Sequence, residues 1–278
     1  MASWSAVTRL VQAGPEVTTA AERARVPIID MGDFPAALGD IPGHWRTALA
    51  TFPTLHKLLS LQGLLSLRGP LTAGPPGPLL YLDCDTYLFG DVATLAARYD
   101  GCDFRAREEP LSGRSHHGYD PSYLDEQALA AITAAEGLVP VPPYNTGVML
   151  LSGQLASTLV TLLDEFVWYA WRLLTGMCLW RPDLLRDDGL ADLVRDRATP
   201  GERALALAYP SSNAWIIEEI ATWLTLGRVP GLTHGLLHQP DVVQSDEYLR
   251  WAEGKIVAHY FSTGQDRFFD FLRQGRAR

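Results

Sequence analysis

The chain has 278 residues, 47% of them hydrophobic and 20% charged, so it can bury a large core and is too apolar to be disordered. A formal net charge of −9, with no Lys/Arg cluster, excludes a nucleic-acid backbone as the expected partner. Cys84, Cys102 and Cys178 lack metal-ligand spacing, which predicts reduced thiols and a cytoplasmic location. No signal peptide is expected, and charged residues interrupt the most apolar stretch, which argues against a membrane span.

Helical and extended patterns alternate along the chain, which predicts an α/β fold with a mostly parallel central sheet and helices on both faces. In chain order, we expect a helix at 3–11, a strand at 26–31, a helical segment at 44–67 that Pro53 breaks or starts, a strand at 79–82, a helix from 91 to about 99 and a strand near 102–105.

The second half of the chain continues the alternation. We expect a helix from the Asp120-Pro121 cap to Gly137, a buried strand that ends at Leu151, a long helix at 154–175 and a strand that runs into His259. The whole chain, 1–278, is predicted to be a single domain, with an active-site loop at 106–120 and a variable insertion at 176–208.

Two carboxylates follow the predicted strand at 79–82. Asp83 and Asp85 are two residues apart, a spacing that puts side chains on one face of an extended strand. An ionised carboxylate near a core is costly unless a positive charge lies beside it, and Mg²⁺ or Mn²⁺ takes oxygen ligands. The pair therefore suggests a divalent cation site, and the alternative is a strand end with two solvated carboxylates.

Two further segments place polar groups beside a predicted strand. Gly147 permits a close approach of the backbone to a ligand, and the amide of Asn145 can bind a sugar hydroxyl. A simple turn is the competing interpretation of this segment. His259 ends the last strand, where imidazole suits a metal site that already has two carboxylates. A structural histidine is the alternative at that position.

The motifs together resemble a known family. The tetrapeptide Leu82-Asp83-Cys84-Asp85 resembles the DxD motif of GT-A-fold nucleotide-sugar glycosyltransferases. The segment at 144–150 is similar to the FNSGVML segment of the glycogenin and galactosyltransferase-like branch (family 8-like), and 259–264 resembles its late His-x-x-Gly region. The order and spacing match from about Leu79 to Gln265.

The resemblance implies a GT-A-like, Rossmann-related fold and a metal-dependent glycosyltransferase, a hexosyl- or pentosyltransferase. It would move a sugar from a nucleotide-diphosphate sugar, expected to be a UDP-sugar, to an unidentified acceptor, with retention favoured. Asp85 and His259 would bind Mn²⁺ or Mg²⁺, with Asp83 in the same site and directed toward the ribose. The metal would stabilise the leaving diphosphate as a Lewis acid.

Further residues follow from the resemblance by position. The candidates for donor and diphosphate contacts are Lys57, Tyr144, Gly147, Gly264, Gln265 and Arg267. The family often has Lys-Pro-Trp where this chain has Gln265-Asp266-Arg267, and a solvated surface lysine is the alternative for Lys57. The candidates for the pocket of the nucleotide base are Asp30, Met31, Gly32 and Asp33. The family normally opens with a strand whose end holds the base. Here that strand is either missing from residues 1–25 or replaced by the strand at 26–31.

For catalysis we expect Asn145 and one of the adjacent glutamates Glu218 and Glu219, because neighbouring residues on a helix point about 100° apart. A solvated acidic pair is the alternative for the glutamates, and His116 and His117 are candidates for the acceptor side.

Two other functions remain open. HAD-like Mg²⁺-dependent phosphatases also place Asp-x-Asp at a strand end, and Asp187-Asp188 would be their second acidic pair. Their motif continues Asp-x-Asp-x-Thr/Val and usually lies near the N-terminus. In this chain residue 87 is Tyr, and 82 residues precede the motif. A non-catalytic nucleotide-sugar-binding relative is the other alternative.

Overall fold

The structure, a computed structural model, describes residues 41–55, 57–58, 77–83, 86–108, 124–185, 188–211, 214–238, 241–244 and 256–259. The chain divides into two compact units. Unit 1 comprises residues 1–74 and 159–225, and unit 2 comprises residues 75–158 and 226–278. Compactness does not by itself show independent folding, so a single domain over the whole chain stays a prediction.

Unit 2 contains the described strands. They are β1 (Leu79–Leu82), β2 (Thr86–Leu88), β3 (Phe104–Glu108), β4 (Tyr144–Leu151), β5 (His234–Leu236), β6 (Val242–Gln244) and β7 (Val257–His259). The helices of this unit are α2 (Val92–Arg98) and α3 (Glu126–Ala135), and α4 (Gly153–Thr161) extends across the unit boundary in sequence.

The described strands form two small mixed sheets, in the orders β1-β4-β3-β5 and β2-β7-β6. The pairs β1/β4, β3/β4 and β2/β7 are antiparallel, and β3/β5 and β6/β7 are parallel. The described part of the chain is thus a mixed α/β structure, and the expected mostly parallel sheet is not seen in it. The reason is that three of the five described strand pairs, β1/β4, β3/β4 and β2/β7, run in opposite directions.

Strand β4 lies between β1 and β3 in its sheet and is buried along its whole length. It carries no charged residue, which suits this buried position. Its Val148 and Leu150 lie in a core cluster with residues from α2 and from the second sheet. The other buried members of that cluster are Leu95, Tyr99, Leu237, Val242, Ile256 and Val257. This shared core holds β4 and β7 in one unit.

Unit 1 is helical where it is described. Its helices are α1 (Gly43–Ala50), α5 (Leu163–Trp180), α6 (Asp188–Arg197), α7 (Pro200–Leu205) and α8 (Ile217–Leu226), with short 3-10 helices at Pro53–Leu55, Pro182–Leu184 and Ala214–Ile216. Trp45 of α1 stacks on Trp171 of α5, and the ring centroid of Trp168, also on α5, lies 5.4 Å from that of Trp45. The aromatic residues of α5 thus form a helix–helix contact with α1.

Gly176 allows another close contact in unit 1. A Cβ atom at this position would lie 1.9 Å from the carbonyl oxygen of Leu207, on the segment after α7. Alanine is favoured over glycine inside a helix by about 1 kcal/mol, so the glycine is explained by this backbone approach and not by helix propensity.

Several predicted boundaries are wrong. The helix expected from Asp120 begins at Glu126, because the side chain of Asp125 caps it by accepting the hydrogen bond of the Ala128 N–H. Its predicted end is confirmed, since Gly137 has a positive φ of 64° immediately after the helix. The helix expected at 154–175 is two helices, α4 and α5, and residues 106–108 of the expected loop belong to β3.

The elements predicted at 3–11 and 26–31 lie outside the described residues. Within the described ranges, no helix has both the length and the apolar character needed to cross a bilayer.

Candidate functional site

Asp83 lies directly after β1, and its backbone is held on both sides. Its N–H donates to the carbonyl oxygen of Gly147 at 2.9 Å. Its own carbonyl oxygen accepts from the Thr86 N–H at 3.1 Å and from the Thr86 hydroxyl at 2.7 Å. The bond from residue i+3 to residue i is that of a turn. β1 ends at Leu82, one residue before Asp83, and Asp85 lies outside the described residues, so the expectation that the two carboxylates share one face of an extended strand stays a prediction.

The pairing of β4 with β3 is irregular beside Asp83. The register shifts between Ala106 and Arg107, so that residues 146–148 of β4 oppose no residue of β3. The Gly147 N–H donates instead to Oδ1 of Asn145 at 3.1 Å. Strand irregularities of this kind re-aim side chains and are common next to functional sites. Here the irregularity fixes the orientation of the buried Asn145 amide.

His259 packs directly on Gly147. A Cβ atom at residue 147 would lie 1.9 Å from Cε1 of the His259 ring and within 2.5 Å of both of its nitrogens. His259 is the last residue of β7, which pairs with β2 on one side and β6 on the other, and its side chain is 4% exposed. The glycine of the predicted motif thus provides the space that the imidazole occupies.

Asp83 and His259 lie near each other across this contact. Oδ2 of Asp83 is 3.9 Å from Nε2 of His259. Oδ1 of the same carboxylate accepts a hydrogen bond from the Tyr81 hydroxyl at 2.9 Å. Three segments that are far apart in sequence, and that contain Asp83, Gly147 and His259, therefore meet in unit 2.

The donor set is compatible with a divalent cation. Two ligands that each lie about 2.1 Å from a cation can be at most about 4.2 Å apart, and the observed 3.9 Å falls within that limit. Carboxylate and imidazole together suit Mn²⁺. Among the described residues no group of three His, Cys, Asp or Glu side chains could hold a metal, and the third predicted ligand, Asp85, lies outside them.

Tyr144, a predicted donor contact, is buried within the first sheet. Its hydroxyl forms a 2.7 Å hydrogen bond with Nδ1 of His234, and its ring meets Phe104 edge to face. Burial raises the pKa of the Tyr144 phenol, and nearby Cys102 raises it further. The phenol therefore stays protonated at neutral pH. Its role as a donor contact stays a prediction.

The predicted catalytic glutamates lie in unit 1, on α8. Glu218 is 1% exposed, and its Oε2 is 3.1 Å from the Nζ atom of Lys57. The hydroxyl of Thr222, one turn further along α8, donates to Oε1 of Glu218 at 3.3 Å. Glu219 is also buried. The alternatives of a solvated acidic pair and a solvated surface lysine are therefore wrong, because α8 is buried on all sides and Lys57 compensates the charge of Glu218.

Most of the remaining candidates lie outside the described residues. They are Asp30, Met31, Gly32, Asp33, Asp85, His116, His117, Asp187, Gly264, Gln265 and Arg267. Asp188 begins α6.

The sequence interpretation missed two residues beside the candidate site. Tyr81 lies two residues before Asp83 and donates to its carboxylate, and this i, i+2 spacing was a usable signal for their contact. His234 gave no such signal, since it meets Tyr144 only through the pairing of β5 with β3.

No protein-family model matches the chain, and no curated protein matches it. Among solved structures, it is similar to the crystal structure of mouse xyloside xylosyltransferase 1 in its apo form. The identity is 13%, the TM-score is 0.39, and the match covers 90% of this chain and 82% of the other. What the site can do follows from its own residues.

Proposed function

We propose that this chain is a metal-dependent glycosyltransferase that moves a sugar from a UDP-sugar to an acceptor, with retention of configuration. The observation that supports it is the meeting of Asp83, Gly147 and His259 in unit 2. Each belongs to one of the three segments that resemble the GT-A glycosyltransferase motifs. A chance resemblance gives no reason for segments so distant in sequence to meet around a carboxylate and an imidazole.

Asp83, Asp85 and His259 would hold Mn²⁺ or Mg²⁺. The bound cation would supply Lewis-acid stabilisation of the leaving nucleotide diphosphate. The burial of His259 against Gly147 excludes water from one side of its ring, and the backbone bonds of Asp83 fix the base of its side chain. Preorganised ligands of this kind cost little reorganisation when charge develops.

Asn145 is proposed to contact the donor sugar. Because its Oδ1 accepts the Gly147 N–H, the orientation of the amide is set by the backbone. The NH₂ group is then the end that donates to a sugar hydroxyl. By position in the sequence, Gly264, Gln265 and Arg267 are proposed to bind the diphosphate.

Glu218 or Glu219 is proposed to stabilise the positive charge that develops on the sugar during transfer, as a retaining reaction requires. The resemblance assigned Lys57 to the diphosphate, but its ammonium contacts the buried carboxylate of Glu218. Lys57 is therefore proposed to orient that carboxylate. To contact the diphosphate as well, the lysine would have to leave Glu218.

Donor binding tests the proposal. The thermal midpoint should rise with UDP or UDP-sugars in the presence of Mn²⁺ and much less without it, because a ligand of the folded state stabilises it in proportion to the logarithm of its concentration over Kd. Asp85→Ala should abolish the metal-dependent shift. The exposed Asp192, which pairs with Arg195 in unit 1, provides a matched control as Asp192→Ala.

The other functions give different results in the same experiments. Mg²⁺-dependent release of phosphate from a phosphate monoester, with no nucleotide binding, would identify a phosphatase. Binding of a UDP-sugar with slow hydrolysis, but with no transfer to any of a panel of sugar and peptide acceptors, would identify a non-catalytic relative.

A further inference from the structure

We infer that Tyr81 is a positioning residue for the Asp83 carboxylate in the cation site. The inference rests on the proposed function, since it assigns a role within that site. The Tyr81 hydroxyl donates to Oδ1 of Asp83 at 2.9 Å. None of the motifs in the sequence includes this tyrosine.

The local backbone makes the contact possible. Tyr81 is the third residue of β1 and Asp83 directly follows the strand, and the bond from the Tyr81 hydroxyl to Oδ1 of Asp83 shows that the two side chains meet. Tyr81 is fixed by the pairing of β1 with β4, where it lies opposite Met149. The tyrosine therefore presents its hydroxyl from a strand of the first sheet and not from a loop.

The hydroxyl completes the anchoring of Asp83. The backbone of Asp83 is already held by Gly147 on one side and Thr86 on the other. Those bonds fix the position of Cα but do not stop the side chain of Asp83 from rotating about χ1 and χ2. The bond from Tyr81 to Oδ1 restricts those torsions, with Oδ2 then 3.9 Å from the imidazole of His259.

Such a bond matters because an aspartate with two rotatable bonds must hold one orientation to share a cation. A hydrogen bond to an ionised carboxylate is stronger than one between neutral groups. Partners that orient a metal ligand without touching the metal typically contribute about 10–100-fold to metal affinity. Without the hydroxyl, the carboxylate would be able to rotate away from the orientation that it shares with His259.

Tyr81→Phe tests the role, because it removes the hydroxyl and keeps the ring. The measurement is the Kd of Mn²⁺ for the full chain, by calorimetric titration in the presence of saturating UDP, with folding checked by circular dichroism. The matched control is Tyr99→Phe, which removes a hydroxyl that donates to Asp241 at 2.7 Å within the same unit. We expect the Kd to rise about 10–100-fold in Tyr81→Phe and less than about twofold in Tyr99→Phe.

A second comparison separates positioning from a general effect on the fold. In an Asp83→Asn background the tyrosine has no carboxylate to orient, so adding Tyr81→Phe should not change the Kd further. An unchanged Kd in Tyr81→Phe, or an equal loss with and without Asp83, would overturn the inference alone. Failure of the unmodified chain to bind Mn²⁺ with UDP would overturn the proposed function and the inference with it.

Discussion

Replacing Gly147 by alanine tests the contact between β4 and β7 on which the candidate site depends. The new methyl carbon would lie 1.9 Å from Cε1 of His259, whereas carbon atoms in contact are about 3.5–4.0 Å apart. The ring or the strand must therefore move by about 1.6 Å or more. His259 is 4% exposed and its strand is paired on both sides, so little room is available for that shift.

The expected cost of Gly147→Ala is about 1–3 kcal/mol of unfolding free energy, the usual range for overpacking a buried site. In a His259→Ala background the ring is absent, and the same substitution should be neutral or stabilising by up to about 1 kcal/mol, because alanine lowers the entropy of the unfolded chain. A cost is expected only where the imidazole is present, so the difference between the two effects isolates the contact.

Urea unfolding followed by circular dichroism measures all four members of this cycle. Gly201→Ala is a matched control, since a Cβ atom there would meet nothing within 4 Å. An equal cost of Gly147→Ala in the presence and absence of the imidazole would refute the proposed packing of His259 on Gly147.

Three further predictions concern stability and are read from urea or thermal midpoints. Lys57→Met should cost about 3–5 kcal/mol, because it removes the ammonium beside a carboxylate that is 1% exposed, and adding Glu218→Leu should recover most of the loss; no recovery would contradict a buried ion pair. Gly176→Ala should destabilise the chain by about 1–3 kcal/mol, since the new methyl group would lie 1.9 Å from the backbone carbonyl oxygen of Leu207. Alanine has the better helix propensity, so a gain in stability would contradict this packing. Hydrogen bonds from Thr233 hold the pKa of Asp103 below its usual range, so the ionised carboxylate stabilises the fold above about pH 4 and loses that effect as the pH falls through its folded pKa. The loss of unfolding free energy caused by Asp103→Asn should therefore be larger at pH 7 than at pH 3. A loss that does not depend on pH would contradict this role of the ionised carboxylate.

The strands beside the candidate site were predictable from local sequence. The runs at 79–82 and 257–259 are apolar segments followed by polar or turn-forming residues, and the structure has strands at both. The resemblance also implied that Asp83 and His259 belong to one site. Asp83 meets Gly147 because β1 and β4 are antiparallel, with Leu82 opposite Val148, an arrangement that the expected mostly parallel sheet did not indicate.

Features that depend on distant partners were not predictable. Glu218 and Glu219 follow one another on a helix, and nothing near them in sequence indicates that Lys57 lies beside Glu218. The break between α4 and α5 at Leu162 has neither glycine nor proline to mark it. In these cases tertiary packing decides what local periodicity leaves open.

The central claim is that a divalent cation binds beside Asp83 and His259, and electron spin-echo spectroscopy of bound Mn²⁺ tests it most directly. A nitrogen that coordinates Mn²⁺ modulates the echo, so the method detects a histidine ligand. With Mn²⁺ and UDP, we predict nitrogen modulation in the unmodified chain, its loss in His259→Ala and its retention in His238→Ala, whose imidazole is exposed elsewhere in unit 2. Modulation that survives His259→Ala, or none in the unmodified chain, would contradict the cation site.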